Sequence, residues 1–85
     1  MEPRTLKPVS MSTPAIYRTR VQGILPPEAA DRLEGMNITR REIEGVQESI
    51  LVGRLVDQGA LSGLLASLYE LHLPLLSVEC LEADD

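Results

Sequence analysis

Residues 51–81 constrain the fold more than any other stretch, because their pattern predicts a strand, an amphipathic helix and a second strand. Residues 51–56 are mostly leucine and β-branched residues, which is typical of a strand. Leucines then recur at spacings that place them on one helical stripe, formed by Leu61, Leu64, Leu65, Leu68 and Leu71. Asp57 is the predicted N-cap, because its carboxylate accepts hydrogen bonds from free N–H groups of the first turn. Pro74 is predicted to end a helix that covers residues 58–72.

The first half of the chain predicts two more strands and a shorter helix. Side chains of residues 16–25 alternate between the two faces of a first strand. Residues 26–28, Pro-Pro-Glu, suit the first turn of a helix, and Gly35 suits its C-terminal end. Residues 37–43 predict a charged strand at a sheet edge, and residues 49–56 a third strand.

The predicted element order is therefore β-α-β-β-α-β, with the last strand at residues 75–81. Two right-handed crossovers connect such an order into a ferredoxin-like α+β sandwich. This fold has a four-stranded antiparallel sheet with two helices on one face. Ala29 and Leu33 of the first helix are expected to face inward.

The domain organisation expected from composition is simple. A chain of 85 residues holds one domain, which is of marginal stability alone and gains from self-association. Residues 1–14, with three prolines and no periodicity, predict a disordered lead, and either Met1 or Met11 is the native start. Residues 15–82 form the domain, and residues 83–85 an acidic tail.

Charge and hydropathy exclude several classes of function. The net charge is −5, and the last seven residues carry Glu79, Glu82, Asp84 and Asp85. Nucleic-acid binding is not expected, because it needs a concentrated basic surface. No apolar run reaches the length of a membrane-spanning helix, and the N-terminus lacks the apolar core of a secretory signal. The expected location is the cytoplasm.

The chain offers no set of residues typical of catalysis, so no catalytic, cofactor-binding or metal-binding residue is predicted. His72 is the single histidine and falls at the predicted C-terminus of the second helix, where it suits capping. Cys80 is the single cysteine and is predicted to face inward as a small hydrophobic residue. Their spacing matches no zinc site. The chain is therefore predicted not to be an enzyme and to need no cofactor.

The predicted helix-free face of the sheet is too apolar to be fully solvated. It is expected to carry Ile16, Arg18, Arg20, Ile24, Ile50, Val52, Arg54, Leu75, Ser77, Glu79 and Leu81. A second copy of the chain would bury this face, with paired charges in or around it. We therefore expect a protein-interaction module that forms a homodimer or a higher oligomer, with an unidentified protein as a further partner.

Two other functions remain open from the sequence. Small regulatory domains of similar architecture bind metabolites between paired sheets. Cofactor-free monooxygenases of the dimeric ferredoxin-like kind need a roomy cavity between helices and sheet, and the packed leucines of this chain leave little space for one. The residues Val21-Gln22-Gly23-Ile24 resemble the phosphate-binding turn of acylphosphatases, but no arginine follows closely, so that activity is not expected.

Three blocks of the sequence resemble a group of short uncharacterised bacterial proteins. The blocks are Tyr17-Arg-Thr-Arg-Val-Gln-Gly23, Asp57-Gln-Gly-Ala-Leu-Ser-Gly-Leu-Leu65 and Leu73-Pro-Leu-Leu-Ser-Val78. The resemblance covers most of residues 16–78 and implies a bacterial origin. It implies no activity and no site residues.

Overall fold

The computed structural model describes residues 13–26, 29, 33 and 35–83. These residues form four strands and one helix: β1 (Ala15–Gln22), β2 (Asn37–Ile43), β3 (Val46–Leu55), α1 (Gln58–Glu70) and β4 (Leu75–Ala83). The strands make one antiparallel sheet in the order β2-β3-β1-β4. The strand predicted at residues 37–43 is confirmed, and β2 lies at an edge as expected.

The predicted βαββαβ ferredoxin-like sandwich with two helices is wrong for the described residues, because they contain one helix in the order β-β-β-α-β. The predicted first helix falls largely on residues outside those described. Ala29 and Leu33, which were expected to face inward, are buried, as are Leu25 and Met36. The spacing of apolar residues reports which side chains reach the core, whereas a helix is defined by its backbone hydrogen bonds, and the pattern alone does not establish these.

The core lies between α1 and one face of the sheet. Tyr17, Val21 and Leu51 are buried on that face of the sheet, and Leu64 and Leu68 are buried on α1. The remaining leucines of the predicted helical stripe pack against this cluster while partly exposed: Leu61, Leu65 and Leu71. The stripe is confirmed, and it explains why α1 forms, since most of the stability of a short helix comes from packing its apolar side.

Both ends of α1 follow from local chemistry. The Asp57 carboxylate accepts a hydrogen bond of 2.8 Å from the backbone N–H of Ala60, which confirms the N-cap. The helix ends at Glu70, two residues earlier than predicted, because His72 adopts a left-handed backbone with φ of 60°. The chain is therefore already out of the helix before Pro74.

Strand boundaries shift where the backbone turns. Glu44 and Gly45 both have positive φ, so they make a two-residue hairpin turn, and β3 begins at Val46 rather than at residue 49. β1 ends at Gln22 because Gly23 has φ of 116°. β4 continues to Ala83, inside the predicted tail. Residues 1–12 of the predicted lead, which spans residues 1–14, and residues 84–85 of the predicted tail lie outside the described part of the chain.

Candidate interaction surface

The two faces of the sheet differ in what covers them. Along β1, Tyr17, Thr19 and Val21 are buried on the side of α1, whereas Arg18 and Arg20 point to the opposite side and are partly exposed. Residues directly opposite each other in an antiparallel pair share a face. The pairing of β1 with its neighbours therefore assigns the other strands to the same two faces. We call the side opposite α1 the helix-free face.

Most residues expected on the helix-free face are there. Three come from β1, three from β3 and two from β4: Ile16, Arg18, Arg20, Ile50, Val52, Arg54, Ser77 and Glu79. Ile50 lies across from Arg20, and Val52 across from Arg18. Both aliphatic side chains are half-buried although α1, the helix among the described residues, lies on the other side, because long charged side chains stand beside them on the neighbouring strand.

Leu75 is not on the helix-free face, so its predicted position is wrong. It pairs with Val21, whose side chain faces α1. The cause is a register shift in the pairing of β1 with β4 between Arg20 and Val21, where Leu76 is the extra residue of β4. Such a bulge interrupts simple alternation, so Leu75, before the bulge, lies on the opposite face from Ser77, after it.

Two further expected residues lie at irregular positions. Leu81 is the extra residue of a second register shift, between the pairs Ile16–Glu82 and Tyr17–Cys80. Ile24 follows the end of β1 and is exposed. Neither residue belongs to the regular ladder of the helix-free face.

An ion pair joins β1 to β4 on this face. Arg18 donates from Nε and Nη2 to the two carboxylate oxygens of Glu79, at 3.0 Å each. The two residues are directly opposite each other in the β-ladder, which favours this bidentate ion pair. The expected pairing of charges on this face is confirmed for Arg18 and Glu79.

A second charge cluster centres on Glu48, which sequence reasoning missed. Glu48 is only 4% exposed, accepts a hydrogen bond from Nε of Arg20, and lies 3.3 Å from Nη2 of Arg41. The signal was present in the hairpin, since a two-residue turn at Glu44 and Gly45 puts Arg41 directly across from Glu48. Starting β3 at residue 49 left Glu48 out of the sheet.

The ion pairs shift the titration of both carboxylates. The hydrogen bond from Arg20 lowers the pKa of Glu48 below its ordinary value, with burial acting in the opposite direction and the charges of Arg20 and Arg41 adding to the lowering. The hydrogen bond from Arg18 likewise lowers the pKa of Glu79. Both carboxylates are therefore held in the charged form at neutral pH.

A shallow concavity of about 430 Å³ opens on the helix-free face. Its walls are three arginines, one carboxylate and two aliphatic side chains: Arg18, Arg20, Arg41, Glu79, Ile50 and Val52. The arrangement can accept either a flat protein surface with complementary charges or a small anion.

The residues considered for chemistry do not come together. Within residues 13–26, 29, 33 and 35–83, no group of three or more His, Cys, Asp and Glu side chains could hold a metal ion. Cys80 lies opposite Tyr17, on the α1 side of the sheet as predicted, but it is exposed and is not part of the core. Tyr17 faces α1, where its hydroxyl accepts a hydrogen bond from Gln58. No helix in the described part of the chain is long and apolar enough to cross a membrane.

Comparison with known proteins identifies a family but no activity. Residues 16–79 match a family described as "Domain of unknown function (DUF8691)". No curated protein matches the chain, and no solved structure matches it.

Proposed function

Because the chain belongs to this family of unknown function, we propose its role from the geometry: a non-enzymatic interaction module that self-associates through the helix-free face. The observation that supports the proposal is a sheet packed on one side by α1, with Ile50 and Val52 half-buried on the other side among paired charges. A second copy would bury these aliphatic groups and remove apolar surface from water.

The paired charges make such burial feasible. Burying an unpaired charge is costly, whereas a hydrogen-bonded pair offsets much of that cost. Arg18 and Arg20 already form hydrogen-bonded ion pairs with Glu79 and Glu48. A second sheet can therefore cover these residues without leaving either carboxylate unpaired. These pairs also favour one orientation of the partner, because like charges placed opposite each other are repelled.

A second candidate function is the binding of a small anionic metabolite in the same concavity. Three arginines against two carboxylates leave the cluster with a net positive charge, within a chain whose net charge is −5. A thermal-shift screen with amino acids and nucleotides distinguishes this role, since a ligand that binds only the folded state raises the melting temperature.

Sedimentation of Val52→Lys tests self-association. The substitution places an ammonium group in the middle of the proposed contact, so we expect the dimer to dissociate about tenfold or more readily. Ala66→Lys is the matched control, because Ala66 is exposed on α1. Analytical ultracentrifugation over a concentration series measures both. A wild-type monomer at high micromolar concentration, or equal dissociation constants for Val52→Lys and wild type, would contradict the proposal.

We also infer a bacterial origin and a cytoplasmic location. The three sequence blocks described above support the origin by their resemblance to short bacterial proteins. The hydropathy and charge of the sequence given above support the location. Fractionation of cells that produce the protein tests the location.

A further inference from the structure

Within the described part of the chain, the outer edge of the nine-residue strand β4 is open. β4 is the last strand in the order β2-β3-β1-β4, so one side of its backbone pairs with no strand among the described residues. Seven of its residues are exposed, and Ser77 and Ala83 are intermediate. An edge strand presents unpaired N–H and C=O groups, which form a template for another strand.

The two edges of the sheet differ in chemistry. β2, at the other edge, carries Arg40, Arg41 and Glu42, and such charges oppose pairing with a further strand. β4 instead exposes four large apolar side chains: Leu75, Leu76, Val78 and Leu81. An apolar groove of about 260 Å³ continues from Leu75 toward Leu65 and Tyr69 of α1. β4 therefore combines an open backbone edge with exposed apolar side chains.

We propose that β4 pairs antiparallel with β4 of a second copy, centred on Val78, to make a continuous eight-stranded sheet. This contact is separate from the helix-free face and does not depend on the proposed function. In this register Val78 faces Val78 of the second copy. Apolar side chains that are exposed in one copy then meet across the new pair, beside the groove.

Charge selects this register over its neighbour. Centring the pair on Glu79 would place two carboxylates directly opposite each other, which is destabilising. Centring it on Val78 places Glu79 across from Ser77 instead. Both lie on the helix-free face of β4. The Ser77 side chain is uncharged and partly exposed, so this register sets no like charges opposite each other.

Disulfide cross-linking of the full chain tests the register. Val78→Cys in a Cys80→Ala background places two thiols directly across the two-fold axis. We expect a cross-linked dimer to form about tenfold faster than for Ala66→Cys in the same background, because pairing raises the effective concentration of the thiols. The chain with its natural Cys80 should cross-link slowly, because Cys80 faces Leu76 of the second copy. Oxidation with copper phenanthroline and non-reducing electrophoresis measure the rates.

The outcomes separate this contact from the proposed function. Equal cross-linking of Val78→Cys and Ala66→Cys overturns pairing through β4, even if sedimentation shows a dimer that Val52→Lys disrupts. Fast cross-linking of Val78→Cys together with self-association that Val52→Lys leaves unchanged supports pairing through β4 and overturns the helix-free face as the contact. A Val78→Lys variant provides a second measurement. In the Val52→Lys background it places like charges on the axis and should abolish the remaining association, which Val78→Thr retains.

Discussion

Thr19 and Ser49 are both fully buried on the α1 side of the sheet, yet their hydroxyl groups differ in what they contact. The Ser49 hydroxyl accepts a hydrogen bond from the backbone N–H of Leu25 at 3.0 Å and donates to the carbonyl of Gly23 at 2.8 Å. It thereby holds the segment that leaves β1 against β3. The Thr19 hydroxyl has no hydrogen-bond partner among the described residues.

This difference predicts opposite effects of removing the two hydroxyls. Thr19→Val keeps the shape of the side chain and removes a buried polar group, so it should raise the free energy of unfolding by about 1 kcal/mol. Ser49→Ala leaves the N–H of Leu25 without its acceptor and should lower that free energy by about 1–3 kcal/mol. Urea unfolding followed by circular dichroism measures both. Destabilisation by Thr19→Val as large as by Ser49→Ala would show that the Thr19 hydroxyl has a partner.

At the scale of elements, the end of α1 shows a local conflict between residue type and backbone. The N–H of Leu73 reaches the carbonyl of Leu68 at 3.3 Å, and the N–H of His72 reaches that of Tyr69 at 2.9 Å. These two bonds define a Schellman motif, which usually has glycine at the position that His72 occupies. A histidine there carries the steric cost of a left-handed backbone.

Glycine at this position should therefore stabilise the protein. His72→Gly removes the contact between Cβ and the backbone, and we expect the free energy of unfolding to rise by about 1 kcal/mol. Glu70→Gly is the matched control within the helix, where glycine should lower stability by about 1 kcal/mol. Thermal unfolding of both variants measures the difference. Equal destabilisation by both would mean that the His72 side chain makes a contact worth more than the backbone strain.

Sheet elements show where prediction from a pattern reaches its limit. Tyr17, Leu51 and the leucines of α1 could be assigned to the core because simple periodicity holds along each of their elements. Leu75 could not, because the register shift at Val21 is a property of the pair of strands. Glu48 was missed for a related reason, since its burial depends on cross-strand neighbours in both β1 and β2.

At the scale of the whole molecule, the two ion-pair clusters join all four strands. The Arg18–Glu79 pair connects β1 to β4, and the Glu48 cluster connects β1, β3 and β2. Both carboxylates have a lowered pKa, so each contributes stability that is complete above the ordinary glutamate pKa of about 4.5. That contribution is lost as the pH falls through the lower pKa values of the folded state.

Acid should therefore destabilise the protein in a defined way. We expect the urea midpoint to be flat near neutral pH and to fall as the pH drops below about 4.5. A Glu48→Gln/Glu79→Gln double variant should be less stable at neutral pH but show a shallower fall in acid. Added salt should weaken the exposed Arg18–Glu79 pair more than the shielded Glu48 cluster. An equally steep acid dependence in the double variant would assign the effect to other groups.

The sequence by itself determined the features that depend on neighbours along the chain. The spacing of leucines and the Asp57 cap define α1, and the charged β2 strand could be placed at an edge, because helical and strand periods and caps are local properties. Only the tertiary structure decided the face of Leu75 and the burial of Glu48. It also decided that apolar side chains of β4 are exposed and that β4 lies at an edge of the sheet. Each of these depends on which strand lies alongside and in what register. A shift of one residue reverses the face of a side chain, and the local sequence pattern does not show such a shift.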